Sequence, residues 1–271
     1  MNRQISYRAA IGVLSACALA ACSTTAPTEE ELAYEQGVKE TNLMPATEAQ
    51  RSEIQNQDPV TQATFWSLEH EKSPGDPDVA AKFAKALRAI GSEKRAAEVA
   101  SQALSLAPEN TELMTILGKS LLSSGDPSTA VGILRRASNL EPEDLTILGA
   151  LGVAYDQTGR HREAQNTYRR VLAQDPESAS ALSNLGLSLV LTGEAEEAEL
   201  LLRRAISQPE AGARERQNLA LVLSVQGKFE EARALGASDL PDTLVDQNIA
   251  YFKAMLTPKS RSYTTLRGTL E

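Results

Sequence analysis

The sequence predicts an all-α protein, a right-handed α-solenoid of stacked helix pairs with terminal capping helices. The first observation is a ladder of glycines at one constant spacing: Gly91, Gly125, Gly159, Gly193 and Gly227. The second is a ladder of alanines in register with it: Ala96, Ala130, Ala164, Ala198 and Ala232. The third is a ladder of prolines with the same period: Pro74, Pro108, Pro142 and Pro176. A fixed period of this length is typical of repeats that bury their apolar faces by stacking on their neighbours.

The ladders also predict where the helices end. Proline disfavours helix at the residue before it and suits the first helical turn, so each proline separates one pair from the next. Each ladder glycine falls inside a pair, where a residue with positive φ closes the first helix. Gly118, Gly152 and Gly186 on the first helices, opposite the ladder alanines, predict a close approach of the two backbones.

Two repeats match the tetratricopeptide pattern of W, L, G, Y, A, F and P most fully. The repeat from Leu145 carries Leu148, Leu151, Gly152, Tyr155, Ala164, Tyr168 and Pro176. The repeat from Thr111 carries Met114, Leu117, Gly118, Leu121, Ala130, Leu134 and Pro142. Later repeats depart from the pattern: Pro209 comes one residue early, Arg216 takes the Trp position and Gly236 takes the Phe position. Terminal repeats are expected to depart in this way because they face water or a cap.

The expected organisation has five parts. They are a lipoprotein signal peptide over 1–21, an acidic flexible tether over 22–58, a tetratricopeptide repeat domain over 59–236, a C-terminal capping helix over 237–257 and a disordered tail over 258–271. A helix over Thr47 to Gln57 is the alternative for the end of the tether. The repeat domain divides into a half repeat, 59–74, with Trp66 at the Phe position, and repeats over 77–110, 111–144, 145–178, 179–212 and 213–236.

The segment 1–21 is typical of a secretory signal, with Arg3 and Arg8 before a small, apolar run that is too short to span a bilayer. The run ends in Leu19-Ala20-Ala21-Cys22, which resembles the bacterial lipobox and implies acylation of Cys22. The alternatives are an ordinary signal peptide with an incidental cysteine, or a disulfide with Cys17. Cys17 would leave with the signal, which favours the lipobox. Two or more acyl chains would anchor the protein stably to a membrane.

Charge and composition argue against several classes of function. Lys and Arg number 27 against 36 Asp and Glu, for a net charge of −9, and no block of like charge forms a nucleic-acid arm. His70 and His161 are the only histidines and lack the spacing of metal ligands, and no loop resembles a phosphate cradle. We therefore expect no enzyme, no metal or cofactor, no nucleic acid and no small-molecule substrate. A protein is the expected partner.

The expected binding surface is a groove on the first helices, which line the concave side of tetratricopeptide folds. Position 9 of successive repeats reads Lys85, Lys119, Val153, Leu187 and Leu221, so the groove runs from basic to apolar. The predicted groove residues are Lys85, Arg88, Lys119, Val153, Asn184, Leu187, Val190, Asn218, Leu221 and Val225.

Each type of groove residue has a binding role and an alternative. The basic side chains can hold an acidic segment, the apolar ones can take an amphipathic or extended peptide, and the asparagines can grip a peptide backbone. In the alternatives, the apolar side chains pack against neighbouring helices, the charges form a solvated face and the asparagines cap helices. Asn248 follows the two groove asparagines as a third copy at shorter spacing.

Several segments together resemble one family of envelope proteins. They are the lipobox, the half repeat with Phe65-Trp66, the run Gln217-Asn218-Leu219-Ala220-Leu221-Val222-Leu223, the run Gln226-Gly227-Lys228-Phe229-Glu230-Glu231-Ala232, and the closing Asn248-Ile249-Ala250-Tyr251 and Ala254-Met255-Leu256. This combination resembles the TadD family of tight-adherence (Tad/Flp) pilus assembly lipoproteins, over nearly the whole chain from Cys22 to Leu256.

The resemblance implies a pilotin-like lipoprotein that binds a component of the pilus secretion channel, the secretin above all. It also implies a lipid-anchored, periplasm-facing location on the outer membrane, because the residue after Cys22 is Ser23 and not the Asp that marks retention at the inner membrane. Inner-membrane anchoring stays an alternative. Other envelope scaffolds, such as a regulator of cell-wall synthesis or of outer-membrane protein assembly, are alternative functions, and an enzyme or its regulatory subunit is the rival class.

Overall fold

The computed structural model describes residues 44–256, and the helices of this range belong to one compact unit that begins at Glu48. The range contains thirteen α-helices and no strand. They are α1 (Glu48–Glu53), α2 (Pro59–Lys72), α3 (Pro77–Ala89), α4 (Glu93–Leu104), α5 (Thr111–Ser123), α6 (Pro127–Leu140), α7 (Leu145–Gln157), α8 (His161–Gln174), α9 (Ala179–Leu191), α10 (Ala195–Ile206), α11 (Ala213–Val225), α12 (Phe229–Gly236) and α13 (Asp242–Leu256). A 3₁₀ turn, Ile54–Asn56, follows α1. The predicted signal peptide, Cys22, most of the tether and the tail lie outside the described residues.

The helices pack as a solenoid, which confirms the predicted fold class. From α2 onward each helix packs against the next one along the chain. Each first helix also contacts the first helix of the following repeat, from α3 to α5 and onward to α13, whereas no two second helices of the described range are in comparable contact. The first helices therefore lie closer together than the second helices, and they form the inner surface of the array. None of the described helices has the length and apolar character that a membrane span requires.

The glycine ladder closes the first helices as predicted. The five ladder glycines have φ between 74° and 92°, and no other described residue has a positive φ. At Gly159 the following Arg160 donates its backbone N–H to the carbonyl of Tyr155 at 2.8 Å, and the same bond recurs at the other four glycines. This is the hydrogen bond of a Schellman cap, which glycine makes without a steric penalty.

The first-helix glycines also lie where two helices meet closely. A Cβ atom on Gly152 would lie 2.3 Å from Cε1 of Tyr168 on α8. In the repeats before and after, a Cβ on Gly118 would lie 2.5 Å from Leu134 Cγ, and one on Gly186 would lie 2.9 Å from Leu202 Cγ. Only glycine permits these contacts, so the period fixes the distance between the two helices of a pair as well as the turn that joins them.

A further ladder on the second helices pins each pair to the turn before it. The Nη2 atom of Arg170 donates to the carbonyl oxygen of Pro142 at 2.7 Å. Arg136 and Arg204 make the same bond to Pro108 and Pro176, at 3.1 and 3.2 Å. These arginines follow the same period as the glycines, so the sequence contained a signal for them. The signal is weaker than that of glycine or proline, because a long exposed side chain does not restrict the backbone.

The end of the segment predicted as a tether is helical, which is the alternative that the sequence left open there. Residues 48–56 are helical, and Ile54 is buried in the same apolar cluster as Trp66. Arg51 Nη2 pairs with the Glu69 carboxylate at 3.0 Å, and its guanidinium lies 6.0 Å from the Trp66 ring centroid. The physical reason is that the half repeat consists of a lone second helix, α2. Its uncovered side gives partners to the apolar side chain of Ile54 and the basic side chain of Arg51.

The C-terminal end is less regular. Helix α12 has 8 residues, whereas the other second helices have 12 to 14. Helix α13 packs on α11 and α12 through the buried Val245 and Ile249, and it occupies part of the range predicted for a capping helix. At the Trp position, Arg216 makes a two-point ion pair with Asp239, with Nε and Oδ2 separated by 2.8 Å. An ion pair thus replaces the apolar contact that the consensus would supply.

Candidate functional site

The inner surface carries three cavities along the row of first helices. The largest, here called the main groove, has a volume of about 640 Å³ and extends from α3 to α11. A cavity of about 310 Å³, the N-terminal pocket, lies between α3, α5 and α7. A cavity of about 330 Å³, the C-terminal pocket, lies between α11, α12 and α13. Together they cover most of the surface that the sequence predicts for binding.

The main groove has an apolar floor and a polar rim. Its apolar lining includes Leu122, Leu145, Ala150, Val153, Val171 and Ala181. The rim includes Arg88 and Lys119 from the N-terminal half, Asn184 from α9 and Arg214 from α11. Four of the predicted groove residues, Arg88, Lys119, Val153 and Asn184, thus line one cavity.

The N-terminal pocket brings together the three predicted basic residues, which differ in their ion pairs and in their burial. Lys85 forms an ion pair with the Glu112 carboxylate, and Arg88 Nε pairs with Glu93 Oε2 at 3.0 Å. Lys119 is half-buried. Burial lowers the pKa of Lys119, and the nearby positive charge of Arg88 lowers it further.

The C-terminal pocket contains two more predicted residues. Leu221 of α11 lines this pocket and is 40% exposed. The Asn218 amide donates to the Ser183 hydroxyl at 2.8 Å, so it joins two neighbouring first helices. Asn248 and Phe252 of α13 complete the lining.

The remaining predicted residues lie differently in the fold. Leu187 and Val190 are half-buried and pack against the main apolar core, which is the alternative that the sequence left open for them. Val153 lines the main groove and packs against the same core. Val225 is half-buried and lines none of the three cavities described above.

Sequence reasoning did not include Arg214 or Tyr168 in the site. Arg214 follows Thr146 and Ser180 at position 2 of successive repeats, a groove-facing column, so its spacing was the available signal. Tyr168 occupies the Phe position of the consensus, which directs attention to packing.

Tyr168 joins a hydrogen-bonded network at the edge of the main groove. Its hydroxyl donates to Asp156 Oδ2 at 3.1 Å, and burial raises its pKa. The other oxygen of Asp156 accepts from Ser188 Oγ at 2.7 Å and lies 2.9 Å from His161 Nδ1. The serine hydroxyl bonds to the carboxylate and not to the imidazole, and the network joins three helices, α7, α8 and α9.

The described residues offer no group that resembles a metal site. Within residues 44–256, no cluster of three or more His, Cys, Asp or Glu side chains has the arrangement to hold a metal ion. The polar side chains of the main groove come from several helices, including Lys119 of α5, Asn184 of α9 and Arg214 of α11. What the arrangement supplies is an extended surface with apolar, amide and cationic groups, the kind of surface that solenoids use for binding.

Comparisons with known proteins find similarity to tetratricopeptide repeat proteins. Two tetratricopeptide repeat family models match the sequence, over residues 149–214 and 218–235. The crystal structure of TTC0263, a thermophilic TPR protein of Thermus thermophilus, is similar with a TM-score of 0.58 at 21% identity, over 66% of this chain and 100% of that chain. The structure of MamA 41-end from Desulfovibrio magneticus RS-1 is similar with a TM-score of 0.52 at 18% identity, over 67% of this chain and 96% of that one. No curated protein matches the sequence.

The fold and the site therefore define a helical-repeat protein with an open inner groove. The two family models cover residues 149–214 and 218–235, so what they show is tetratricopeptide repeats within those residues. The likeness to the solved structures is a likeness of fold. No catalytic family is indicated by these matches.

Proposed function

We propose that this chain is a non-enzymatic scaffold whose inner groove binds a segment of a protein partner. The observation that carries the proposal is the main groove itself, about 640 Å³ in volume, with an apolar floor and polar groups on its rim. A bound segment would place apolar side chains on the floor near Val153 and hydrogen-bond its backbone to the rim. Asn184 is suited to that second role, because its amide has both a donor and an acceptor.

The finer proposal is a pilotin-like role in the assembly of a Tad/Flp pilus, with the secretin as the partner. It is supported by the resemblance of Cys22 and its preceding residues to a lipobox, and by the C-terminal run that contains Asn218 and Leu221. An acyl anchor would hold the groove at the outer membrane. A partner captured there has a raised local concentration, which favours its assembly without any chemical step.

The part of the inner surface that forms the C-terminal pocket is tested by a pair of leucine substitutions. Leu221→Glu puts a charge into the C-terminal pocket, whereas Leu200→Glu puts the same charge on α10 at a position that is 66% exposed and lines none of the cavities. We expect Leu221→Glu alone to weaken capture of the secretin in pull-downs with purified proteins. Helical circular dichroism of both variants should match the parent. Equal capture by both variants would remove the C-terminal pocket from the binding surface.

The pilotin role is tested in cells that lack the protein. We expect the outer membrane to lose its secretin multimers on a blot, and we expect the parent chain to restore them. Cys22→Ser should fail to restore them and should leave the protein soluble or unprocessed in membrane fractionation. Unchanged multimers and normal pili in the deletion strain would instead favour another envelope scaffold, such as a regulator of cell-wall synthesis or of outer-membrane protein assembly.

A further inference from the structure

Lys85 and Lys119 occupy the same position in consecutive repeats, yet they have different partners. Lys85 forms an ion pair with Glu112, at position 2 of the next first helix. The residue one period after Glu112 is Thr146. The place that holds a carboxylate for Lys85 therefore holds a hydroxyl for Lys119, and Thr146 lines the main groove beside Lys119.

Lys119 is consequently a half-buried cation without an ion pair among the described residues. The Asp144 carboxylate is near enough to favour the charged form, but its Oδ1 caps α7 by accepting from the backbone N–H of Ile147 at 2.8 Å. The charges of Arg88 and Lys85 oppose it. A cation withdrawn from water without a full partner is unfavourable, and a carboxylate brought by a ligand relieves that cost.

The surroundings of Lys119 fit an anionic ligand of some length. The main groove is lined by three cations, Arg88, Lys119 and Arg214, and by one carboxylate, Asp175, whereas three carboxylates line the N-terminal pocket on the other side of Lys119: Glu112, Glu141 and Asp144. Arg88 and Arg214 pair with Glu93 and Glu215, so Lys119 is the cation of this lining that has no ion pair within the described residues. Arg88 is bonded through Nε to Glu93, and its terminal nitrogens make no hydrogen bond within the described residues. A guanidinium with free terminal nitrogens is well shaped for a carboxylate.

We propose that Lys119 and Arg88 form a carboxylate-binding subsite of the main groove, and that the partner segment is an acidic peptide with apolar side chains. One carboxylate of the peptide binds between Lys119 and Arg88 and replaces the partner that Thr146 does not supply. The apolar side chains lie on the floor around Leu145 and Val153 toward Arg214. This inference rests on the proposed function, since it names the chemistry of the segment that the groove binds.

The test compares two fluorescein-labelled peptides, one repeating Ser-Leu-Glu and the other repeating Ser-Leu-Gln, by fluorescence anisotropy with the full chain in detergent. We expect the Glu peptide to bind about tenfold more tightly or better, the ratio that one well-formed charged hydrogen bond gives. Added salt should reduce that ratio. Lys119→Met should lower binding of the Glu peptide to the level of the Gln peptide, and Lys119→Arg should restore it in part.

Lys94→Met is the matched control, because Lys94 is exposed on α4 and lines none of the three cavities. It should leave both affinities unchanged. Equal affinity for the two peptides, or equal effects of Lys119→Met and Lys94→Met, would overturn the carboxylate subsite while leaving peptide binding intact. Failure of both peptides to bind would overturn the proposed function of the groove as well.

A third measurement separates an external partner from the chain's own acidic segment. Substituting Gln for Glu29, Glu30 and Glu31 removes three carboxylates that precede the repeats. We expect the affinity for the Glu peptide to stay the same. A gain in affinity would show that the chain's own segment occupies the subsite, and it would overturn the assignment to a partner.

Discussion

The two central repeats, residues 145–212, and the C-terminal region, residues 213–256, follow one sequence period but are held together by different contacts. In the central repeats a glycine meets a large side chain, as Gly152 meets Tyr168, and an arginine pins each pair to the preceding turn. In the C-terminal region two ion pairs add to the apolar packing of α13: Arg216 of α11 pairs with Asp239 in the loop before α13, and Arg233 of α12 pairs with Asp246 of α13.

The two regions also line different cavities, since most of the main groove lies in the central repeats and the C-terminal pocket lies between α11, α12 and α13. Where the consensus is kept, the side chains fill the space between helices and little of them is exposed. Where it is lost, the contacts move to charged groups at the surface, and a cavity remains that Leu221 lines while 40% exposed. The regular repeats therefore supply most of the main groove, and the departures from the pattern add the C-terminal pocket beside it.

The largest expected effect breaks the packing of the central repeats. Gly152→Ala places a Cβ 2.3 Å from Tyr168, which cannot swing away cheaply because it is buried and its hydroxyl bonds to Asp156. We expect a loss of about 1–3 kcal/mol in the free energy of unfolding, the usual cost of overpacking. Gly149→Ala on the same helix meets nothing within 4 Å and should stabilise by up to about 1 kcal/mol through helix propensity.

Urea unfolding followed by circular dichroism measures both changes. Equal stability of the two alanine variants would mean that the central repeats adjust to an added methyl group, and that their packing is as adaptable as that of the C-terminal region.

A smaller effect is expected from the arginine ladder of the central repeats. Arg170→Ala removes the hydrogen bond to the Pro142 carbonyl and should cost about 0.5–1.5 kcal/mol in the same experiment. Arg169→Ala is the control, since Arg169 is also exposed on α8 and takes no part in the ladder. A matching loss in the control would assign the effect to the arginine stems and not to the bond.

The smallest expected effect is on the stability of the C-terminal region, and it develops as the pH is lowered. The pKa of Glu199 is lowered by a hydrogen bond from Lys228 of the last repeat, and Arg216 and Arg233 lower the pKa of Asp239 and Asp246 in the same way. Their stabilising contributions are present above the pKa of the unfolded carboxyls, about 4, and are lost as the pH falls through the folded values.

Hydrogen exchange between pH 5 and pH 3 should therefore show α12 and α13 opening before the central repeats, after correction for intrinsic exchange rates. High salt at neutral pH should act in the same direction, because exposed ion pairs are screened. Uniform opening along the array would mean that the ion pairs do not set the stability of its end.

Much of the fold follows from the sequence because the repeat fixes local geometry. A glycine such as Gly159 is needed for its positive φ, and Gly152 for a close approach, and both requirements can be inferred from spacing alone. The short helix over 48–53 shows the limit of such inference. Its ordering depends on partners such as Glu69 on a later helix, and no period marks that relationship.

The site was less predictable because burial depends on the neighbouring repeat. Leu187 and Leu221 share position 9, yet Leu187 packs against the core and Leu221 is exposed to a cavity. The next first helix differs: α11 begins in register with the period, whereas α13 begins ahead of it, at Asp242. Lys85 and Lys119 differ for a related reason, since the residue opposite each one belongs to the following unit.

The arginine ladder bears on how the length of such an array can change. Each arginine finds its proline carbonyl 28 residues earlier, in the turn that precedes its own helix pair. Inserting or deleting one whole repeat moves an arginine and a proline together, so no bond at the new junction loses its partner. Duplication or loss of a single repeat therefore preserves these hydrogen bonds at the new junction. Recombination can then change the number of repeats to suit the length of the bound segment.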